Sequence, residues 1–233
     1  HYAAGNGHLA TLQWLVIEAK CSYTYLRGKR ASPQDLLYLN KGDFIFENIS
    51  EIAGIGGKKA WSTGVTMVDI NADGLLDIYV CNSGDVEGDN KQNELFINQG
   101  DLTFKEEAEK YGLADPGYST HASFFDYDKD GDLDVYLLNN SYQAIGSFDL
   151  RRNERPKRDM DGGDKLLKNL NGKFIDVSEE SGIYGSVIGF GLGVTVGDVN
   201  SDGWEDIYVS NDFFERDYLY VNNQDGTFSE ILT

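Results

Sequence analysis

Three stretches of the sequence repeat one nine-residue pattern, and this repeat limits the possible folds more than any other feature. Each copy places Asp or Asn at relative positions 1, 3, 5 and 9, with glycine at position 6. Oxygen side chains in such a loop suit a hard cation such as calcium, which binds about six to eight oxygens. The copies span residues 69–77, 126–134 and 198–206. We interpret them as three calcium loops.

The side chains at positions 1, 3, 5 and 9 are the candidate metal ligands. A single Asp/Asn/Gly stretch is also compatible with an ordinary polar turn, because these residues favour turns without a metal. Three copies with matched spacing and matched flanks favour metal binding. The candidates are Asp69, Asn71, Asp73 and Asp77 in the first loop, Asp126, Asp128, Asp130 and Asp134 in the second, and Asp198, Asn200, Asp202 and Asp206 in the third.

The residues that flank the loops distinguish them from EF-hands. An EF-hand needs a glutamate at position 12 and a helix on each side, whereas position 12 here is Val80, Leu137 or Val209. The flanking segments are rich in β-branched and aromatic residues, which favour strands. Each loop is therefore predicted to join the two strands of a hairpin.

A second motif alternates with the loops and consists of an apolar strand, an Asn/Gly turn and a short strand that begins near a phenylalanine. Phe46, Phe104, Phe174 and Phe228 mark this motif and lie 58, 70 and 54 residues apart, the long interval reflecting an insertion at about residues 142–163. Four short strands that repeat at this period are typical of a β-propeller. We predict an all-β fold, a partial propeller of four-stranded blades with about three and a half repeats.

The first 33 residues do not fit this repeat. The segment from His1 to Val16 has helical spacing of apolar residues, broken at Gly5-Asn6-Gly7, and resembles one ankyrin repeat. We therefore expect a short α-helical hairpin over residues 1–33, which is the end of an ankyrin array, a hairpin that leans on the next domain, or an artefactual join. Residues 34–233 are assigned to the propeller, incomplete at its C-terminal end.

Charge and hydropathy exclude several classes of partner. The chain of 233 residues has 39 acidic and 20 basic residues and a formal charge of −19, which disfavours nucleic acid and anionic membrane surfaces. It contains no apolar run of about 18 residues, the length that a membrane span needs, and this fragment shows no signal peptide. Cys21 and Cys81 cannot form a disulfide framework, and Cys81 is expected to be a small buried thiol.

Two further features leave alternatives open. The insertion carries a basic run, Arg151 to Arg158, which is either a solvated loop or a loop that contacts a ligand. Trp61, Tyr118 and Phe190 hold equivalent places ahead of the three loops, and they fit either sugar-binding aromatics or packing between blades.

Residues 35–233 resemble the FG-GAP/VCBS repeats of the integrin α-subunit β-propeller and, more closely, proteins that carry such repeats before an ASPIC/UnbV domain. The three loops and the segment from Phe190 to Gly193 carry the resemblance, although the Phe-Gly element is degenerate ahead of the first two loops. The resemblance implies about three Ca²⁺ ions, with the position 7 carbonyls of Leu75, Asp132 and Trp204 as additional ligands. It also implies an extracellular or cell-surface, secreted protein.

The resulting functional hypothesis is a calcium-binding propeller that acts as a binding or adhesion module for a protein or glycan ligand, with structural calcium. The sequence contains no nucleophile elbow, zinc motif or phosphate-binding glycine loop, so we do not expect an enzyme. Lone His121 is more compatible with a packed or turn residue than with a catalytic one. The alternatives are a lectin-like propeller and the non-catalytic propeller part of a polysaccharide-active enzyme.

Overall fold

The computed structural model describes residues 15–19, 35–56, 60–85, 92–149, 151–213 and 215–232, which form four antiparallel sheets. The first sheet has three strands and the other three have four each, and within every sheet neighbouring strands follow one another along the chain. The predicted partial propeller of four-stranded blades is therefore confirmed. Over the described ranges the sheets do not close into a ring.

We call the sheets blades 1 to 4 in chain order. Blade 1 comprises β1 (Leu15–Ala19), β2 (Asp35–Asn40) and β3 (Phe46–Asn48). Blade 2 comprises β4 (Ala60–Val68), β5 (Asp77–Asp85), β6 (Glu94–Asn98) and β7 (Phe104–Glu106). Blade 3 comprises β8 (Ser119–Phe125), β9 (Asp134–Asn139), β10 (Lys165–Asn169) and β11 (Phe174–Asp176). Blade 4 comprises β12 (Gly191–Gly197), β13 (Asp206–Asn211), β14 (Tyr218–Asn222) and β15 (Phe228–Glu230).

The outermost strand of every blade begins at the phenylalanine that the sequence pattern marks, so this part of the prediction is confirmed. Within the described ranges, three short helical turns lie between strands: α1 (Ser50–Ala53), α2 (Ala108–Tyr111) and a 3₁₀ turn (Ile145–Ser147). No helix among the described residues is long and apolar enough to cross a membrane.

The hydrophobic core lies between blades rather than within them. One cluster of buried residues joins blades 2 and 3 and includes Tyr79, Leu95, Val135 and Leu137. Equivalent clusters join blades 1 and 2 and blades 3 and 4. Because each sheet buries its faces only against its neighbours, blades of this kind need one another for stability.

A glycine followed by a buried aliphatic residue closes each connection between blades. At the end of α2, Gly112 has φ 78°, and the following Leu113 is fully buried and donates its N–H to the Ala108 carbonyl at 2.8 Å. A Cβ on Gly112 would lie 2.5 Å from the carbonyl oxygen of Phe174 in the next blade. Glycine is needed here both for its left-handed backbone and for the close approach of two blades.

The N-terminal expectation needs a correction. Leu15–Ala19 is a β-strand that pairs antiparallel with β2, with Ile17 opposite Leu37, so the predicted helix is wrong for these five residues. Val16 and Ile17 are β-branched and favour an extended backbone, and β2 offers them an open edge. The rest of the ankyrin-like stretch, with His1 and His8, lies outside the described residues.

Candidate metal centre

The three predicted metal loops all lie where the first strand of a blade turns into the second. They connect β4 to β5, β8 to β9 and β12 to β13, as expected for hairpins rather than EF-hands. In each loop the position 4 residue and the position 6 glycine have left-handed backbone angles; in the first loop, φ is 57° at Ala72 and 86° at Gly74. Glycine adopts this conformation at little cost, which explains why it recurs at position 6.

Backbone N–H groups of the first loop donate to the side chains of its first three ligand candidates. Asp69 accepts from the N–H of Asp73 at 3.0 Å and from that of Gly74 at 2.9 Å. The Asn71 side-chain oxygen accepts from the same Asp73 N–H at 3.0 Å. Asp73 in turn accepts from the N–H of Leu75 at 2.8 Å. The predicted ligands at positions 1, 3 and 5 therefore converge on one short turn.

The third loop repeats this arrangement. Asp198 accepts from the N–H groups of Asp202 and Gly203 at 3.1 and 2.8 Å. The Asn200 side-chain oxygen accepts from the Asp202 N–H at 2.9 Å, and Asp202 accepts from the Trp204 N–H at 2.8 Å. Two loops separated by more than 100 residues thus share one geometry, because the same side chains at the same spacing form the same hydrogen bonds.

The second loop has the most concentrated negative charge. One carboxylate oxygen each of Asp126, Asp128 and Asp130 lies within 4.8 Å of the other two. The Oδ1 atoms of Asp126 and Asp132 are buried and have no hydrogen-bond donor among the described residues. Close carboxylates with unpaired buried oxygens are unfavourable unless a cation compensates them. These oxygen donors therefore fit a hard cation.

A lysine that sequence reasoning missed reaches this cluster. The Lys168 ammonium donates to Asp128 and lies 3.5 Å from Asp130, and the bond to Asp128 raises the pKa of Lys168. The aligned residues of blades 2 and 4 are Ile97 and Val221. The sequence shows that Lys168 directly precedes the turn asparagine of its hairpin motif. Only the pairing of β10 with β9 shows that this position lies next to the second loop.

The position 9 aspartates are fully buried and differ in surroundings from the other candidates. Asp77 accepts from the N–H of Ile70 at 3.1 Å and from that of Asn98 at 2.8 Å. The Asn98 amide also donates to the Leu76 carbonyl at 3.0 Å. Asp77 thus ties the metal loop to the turn of the second sequence motif. The same bonds recur around Asp134 with Asn169 and around Asp206 with Asn222.

Burial shifts the ionisation of these aspartates. It raises the pKa of Asp77 and raises that of Asp134 to about 7, where the charges of Asp128 and Asp130 add to the shift. A cation nearby would favour the ionised form and lower both values. The position 9 carboxylates therefore have a structural role and, by their place in the loop, remain candidate ligands.

The position 7 residues, whose carbonyl oxygens are predicted ligands, lie in the sequence between the candidates at positions 5 and 9. Trp204 also contacts the neighbouring blade, because the Lys129 ammonium of the second loop lies 4.3 Å from the centroid of its ring. Such a cation–π contact couples the second and third loops. The ligand role of the carbonyl oxygens of Leu75, Asp132 and Trp204 stays a prediction.

A second repeated set of hydrogen bonds lies at the opposite end of the second strands, and it was not predicted from the sequence. In blade 2 the Asn82 N–H donates to the Asn93 side chain at 2.8 Å, and the Asn93 amide donates to the Tyr79 hydroxyl at 2.9 Å. Blades 3 and 4 use Asn139, Asp164 and Tyr136, and Asn211, Asp217 and Tyr208, in the same places. The signal is a tyrosine and an asparagine two and five residues after each position 9 aspartate.

The remaining candidates have ordinary surroundings. Of the basic run, Arg155 pairs with Glu215 at 2.6 Å and Arg158 donates to the Ile183 carbonyl at 2.8 Å, so part of it fastens the insertion to blade 4 and its connection. His121 lies half-buried in β8, where burial lowers its pKa. Cys81 is buried and free, as predicted, whereas Cys21 lies outside the described residues.

Comparison with known proteins agrees with this architecture. Residues 28–80 and 83–137 match a family described as an FG-GAP-like repeat. These two segments thus carry FG-GAP-like repeats, and the blades have an FG-GAP β-propeller-like fold. Repeats of this kind suggest an extracellular adhesion-type propeller module.

Among curated proteins, the chain is homologous to cartilage acidic protein 1. It is 28% identical over 181 residues to the protein of Xenopus tropicalis and 26% identical over 178 residues to that of Homo sapiens. These matches cover 76% of this chain but 25% and 24% of the two relatives. The chain therefore spans about a quarter of the length of the relatives it matches.

Proposed function

We propose that this chain is a calcium-binding propeller segment that acts as a binding or adhesion module, with about three Ca²⁺ ions in structural roles. The observation that carries the proposal is the convergence of Asp126, Asp128 and Asp130 oxygens within 4.8 Å, in a loop whose pattern two other blades repeat. Calcium prefers about six to eight hard oxygens in a flexible loop. Carboxylate, amide and backbone oxygens at these positions supply that type of donor.

The structural role follows from where the loops lie. Each loop closes the hairpin of the first two strands of its blade, and through its position 9 aspartate it is bonded to the turn of the next hairpin. A cation bound there would neutralise crowded carboxylates and so favour the folded blade. Because the unfolded chain does not hold these oxygens together, calcium would stabilise the fold by mass action.

The extracellular setting and the adhesion role are inferred from the repeat class and from homology. Weak calcium loops, with dissociation constants of about 10⁻⁴ to 10⁻³ M, are filled only where calcium is abundant, as outside cells. The partner is a protein or a glycan, and we propose no catalytic role for this chain. A non-catalytic propeller part of a polysaccharide-active enzyme is the alternative, and turnover of a polysaccharide by the whole protein would distinguish it.

The test is a thermal melt of the chain with calcium and with a chelator, combined with calorimetric titration. We expect calcium to raise the melting temperature, and we expect the rise to shrink in Asp73→Ala, Asp130→Ala and Asp202→Ala. Glu180→Ala, which removes an exposed charge outside the loops, is the matched control and should keep the full rise. A folded chain whose melting temperature ignores calcium would disprove the metal role.

A further inference from the structure

The three aromatic residues that precede the loops by eight positions have different surroundings. Phe190 is only 3% exposed and packs against Phe148 and Phe213, with ring centroids 6.4 and 4.9 Å away. Trp61 is 41% exposed and Tyr118 is half-buried. Phe190 is therefore a core residue, whereas the site between blades 2 and 3 is open. Large aromatics left at a surface often mark a binding site.

An open cavity of about 350 Å³ lies at Trp61 and Tyr118. The cavity lies at the end of blades 2 and 3 that is opposite to the metal loops, because Trp61 is the second residue of β4 and Ser83 lies near the end of β5. This volume is in the range of about 300 to 1,000 Å³ that small-ligand sites have. The cavity is thus separate from the candidate metal centre.

The third aromatic of the cavity comes from the insertion. Tyr142, near the start of that insertion, stacks on Tyr118 with ring centroids 4.8 Å apart and planes 11° from parallel, and it is 78% exposed. Its neighbours are fixed: the Asn140 N–H donates to the Tyr118 carbonyl at 2.9 Å, and the Ser141 hydroxyl donates to the Val187 carbonyl at 2.6 Å. The Tyr142 ring, supported by the Tyr118 ring, therefore presents a flat aromatic surface next to a backbone segment that hydrogen bonds hold in place.

The polar lining of the cavity is neutral. None of the described side chains that line it carries a charge, although the chain as a whole has a formal charge of −19. The Ser83 hydroxyl, the Asn140 amide and the Tyr142 hydroxyl have no hydrogen-bond partner in the described part of the chain. The walls are rigid, since Thr63 and Thr120 each donate to a carbonyl of the following blade, at 2.6 and 3.2 Å.

This combination selects a ligand class. A phosphate or an acidic peptide would need basic groups, and a metal ion would need carboxylates, neither of which line the cavity. A saccharide ring has an apolar C–H face for an aromatic surface and hydroxyls for neutral donors and acceptors, so it matches both parts of the lining. We propose that the cavity between blades 2 and 3 binds a neutral saccharide, which Trp61 and Tyr142 contact through their rings and Ser83 and Asn140 through hydrogen bonds.

This inference names a ligand class for the binding role proposed above, and it rests on that role but not on calcium. The probes are methyl glycosides of glucose, galactose, mannose and N-acetylglucosamine, and free fucose. Saturation-transfer NMR on the full chain, followed by titration calorimetry of any sugar that binds, measures the interaction. We expect at least one sugar to bind.

Because one aromatic contact contributes about 0.5–1.5 kcal/mol, we expect Tyr142→Ala to weaken binding up to about tenfold. Tyr142 is largely exposed, so this variant should fold like the parent, which circular dichroism checks. Asn140→Ala, which removes the amide donor and acceptor from the cavity, should also weaken binding. Phe44→Ala removes an exposed aromatic in the distant turn between β2 and β3 and should leave binding unchanged.

The two proposals fail separately. Asp202→Ala should reduce the effect of calcium on the melting temperature and leave the sugar affinity unchanged. If no sugar binds to the folded, calcium-saturated chain, or if Tyr142→Ala and Asn140→Ala bind as the parent does, the saccharide site is wrong whatever calcium does. A protein that binds this face while every sugar fails would also overturn it.

Discussion

Blades 2 and 3 are built alike but carry different charges at both ends of their strands. At the loop end, Lys168 of blade 3 stands where blade 2 has Ile97; at the other end, Asp164 stands where blade 2 has Asn93. The strand order is the same in both blades, and so are the two repeated sets of hydrogen bonds, one around the position 9 aspartate and one at the opposite end of the second strand. The comparison shows that the repeat fixes backbone geometry through a few shared hydrogen bonds, while neighbouring positions are free to change charge.

The largest effect is expected where the two blades agree. Asp77→Ala and Asp134→Ala each remove the acceptor of two buried backbone N–H groups. At about 1–3 kcal/mol for each unsatisfied group, each variant should lose about 2–6 kcal/mol of unfolding free energy even in chelator. Urea unfolding at pH 5, where the raised pKa keeps Asp134 protonated in the folded state, measures this loss.

The exposed Glu109 supplies the control, since Glu109→Ala should change the unfolding free energy by less than about 0.5 kcal/mol. A loss that vanishes in chelator would mean that the position 9 aspartates act only through calcium. A large difference between the losses of unfolding free energy in Asp77→Ala and Asp134→Ala would show that the two position 9 aspartates are not equivalent.

The next effect concerns Asp164, which accepts hydrogen bonds from Asn139 and Tyr136 in blade 3, and it depends on pH. Burial raises the pKa of Asp164 to about 7, while the unfolded chain titrates near the ordinary value of 3.8. The folded state therefore holds its proton more strongly, so the stability that Asp164 contributes is present below about pH 4 and is lost as pH rises to 7. Asp164→Asn should gain about 2–4 kcal/mol relative to the parent between pH 4 and pH 8.

Blade 2 offers the reverse experiment for this prediction. Asn93 already makes the equivalent bonds with an amide, so Asp164→Asn copies a natural arrangement. Asn93→Asp should do the reverse and lose stability relative to the parent as pH rises. Denaturant unfolding in chelator at several pH values measures both. Parallel pH profiles of parent and Asp164→Asn would show that Asp164 is not the titrating group.

A smaller effect concerns the loop end. Lys168 already places a cation on Asp128 and Asp130, so calcium at the second loop has to compete with its ammonium. Lys168→Met keeps the apolar stem and removes the charge. It should lower stability in chelator by about 1 kcal/mol, since the pair is only partly exposed, and raise the calcium affinity of this loop about tenfold.

Lys168→Arg, which retains the positive charge, is the control and should keep an affinity near that of the parent. Titration calorimetry of both variants in the Asp73→Ala, Asp202→Ala background isolates the second loop. Weaker calcium binding by Lys168→Met would mean that the lysine supports the site instead of competing for it.

Much of the fold was readable from the sequence because its determinants are local. Loop spacing, strand-forming flanks and the phenylalanine at each outer strand are adjacent in the chain, so the hairpins and their repeat followed directly. The strand at Leu15–Ala19 was missed because its partner β2 begins 16 residues later, and an open sheet edge overrode the helical spacing of its neighbours.

The chemistry of the site was less predictable for the same reason. Asp126, Asp128 and Asp130 were recognised from one short segment, but the lysine that reaches them is 38 residues beyond Asp130. Phe190 is buried because its ring packs against Phe148 and Phe213, which lie 42 and 23 residues away in the sequence. Such differences come from packing between distant segments, which a repeat pattern does not encode.

The smallest effect tests how tightly the two blades are joined. The Thr66 hydroxyl on β4 donates to the Ala122 carbonyl on β8 at 2.7 Å, whereas the aligned Ser123 of blade 3 shows no hydrogen bond of its hydroxyl within the described residues. Thr66→Val keeps the shape of the side chain but leaves a carbonyl unpaired, so it should cost about 1 kcal/mol. Ser123→Ala should stay within about 0.5 kcal/mol of the parent. Urea midpoints in chelator distinguish the stabilities of Thr66→Val and Ser123→Ala. Equal losses would show that Ser123 makes a matching hydrogen bond to blade 4, so that the two interfaces between blades are alike.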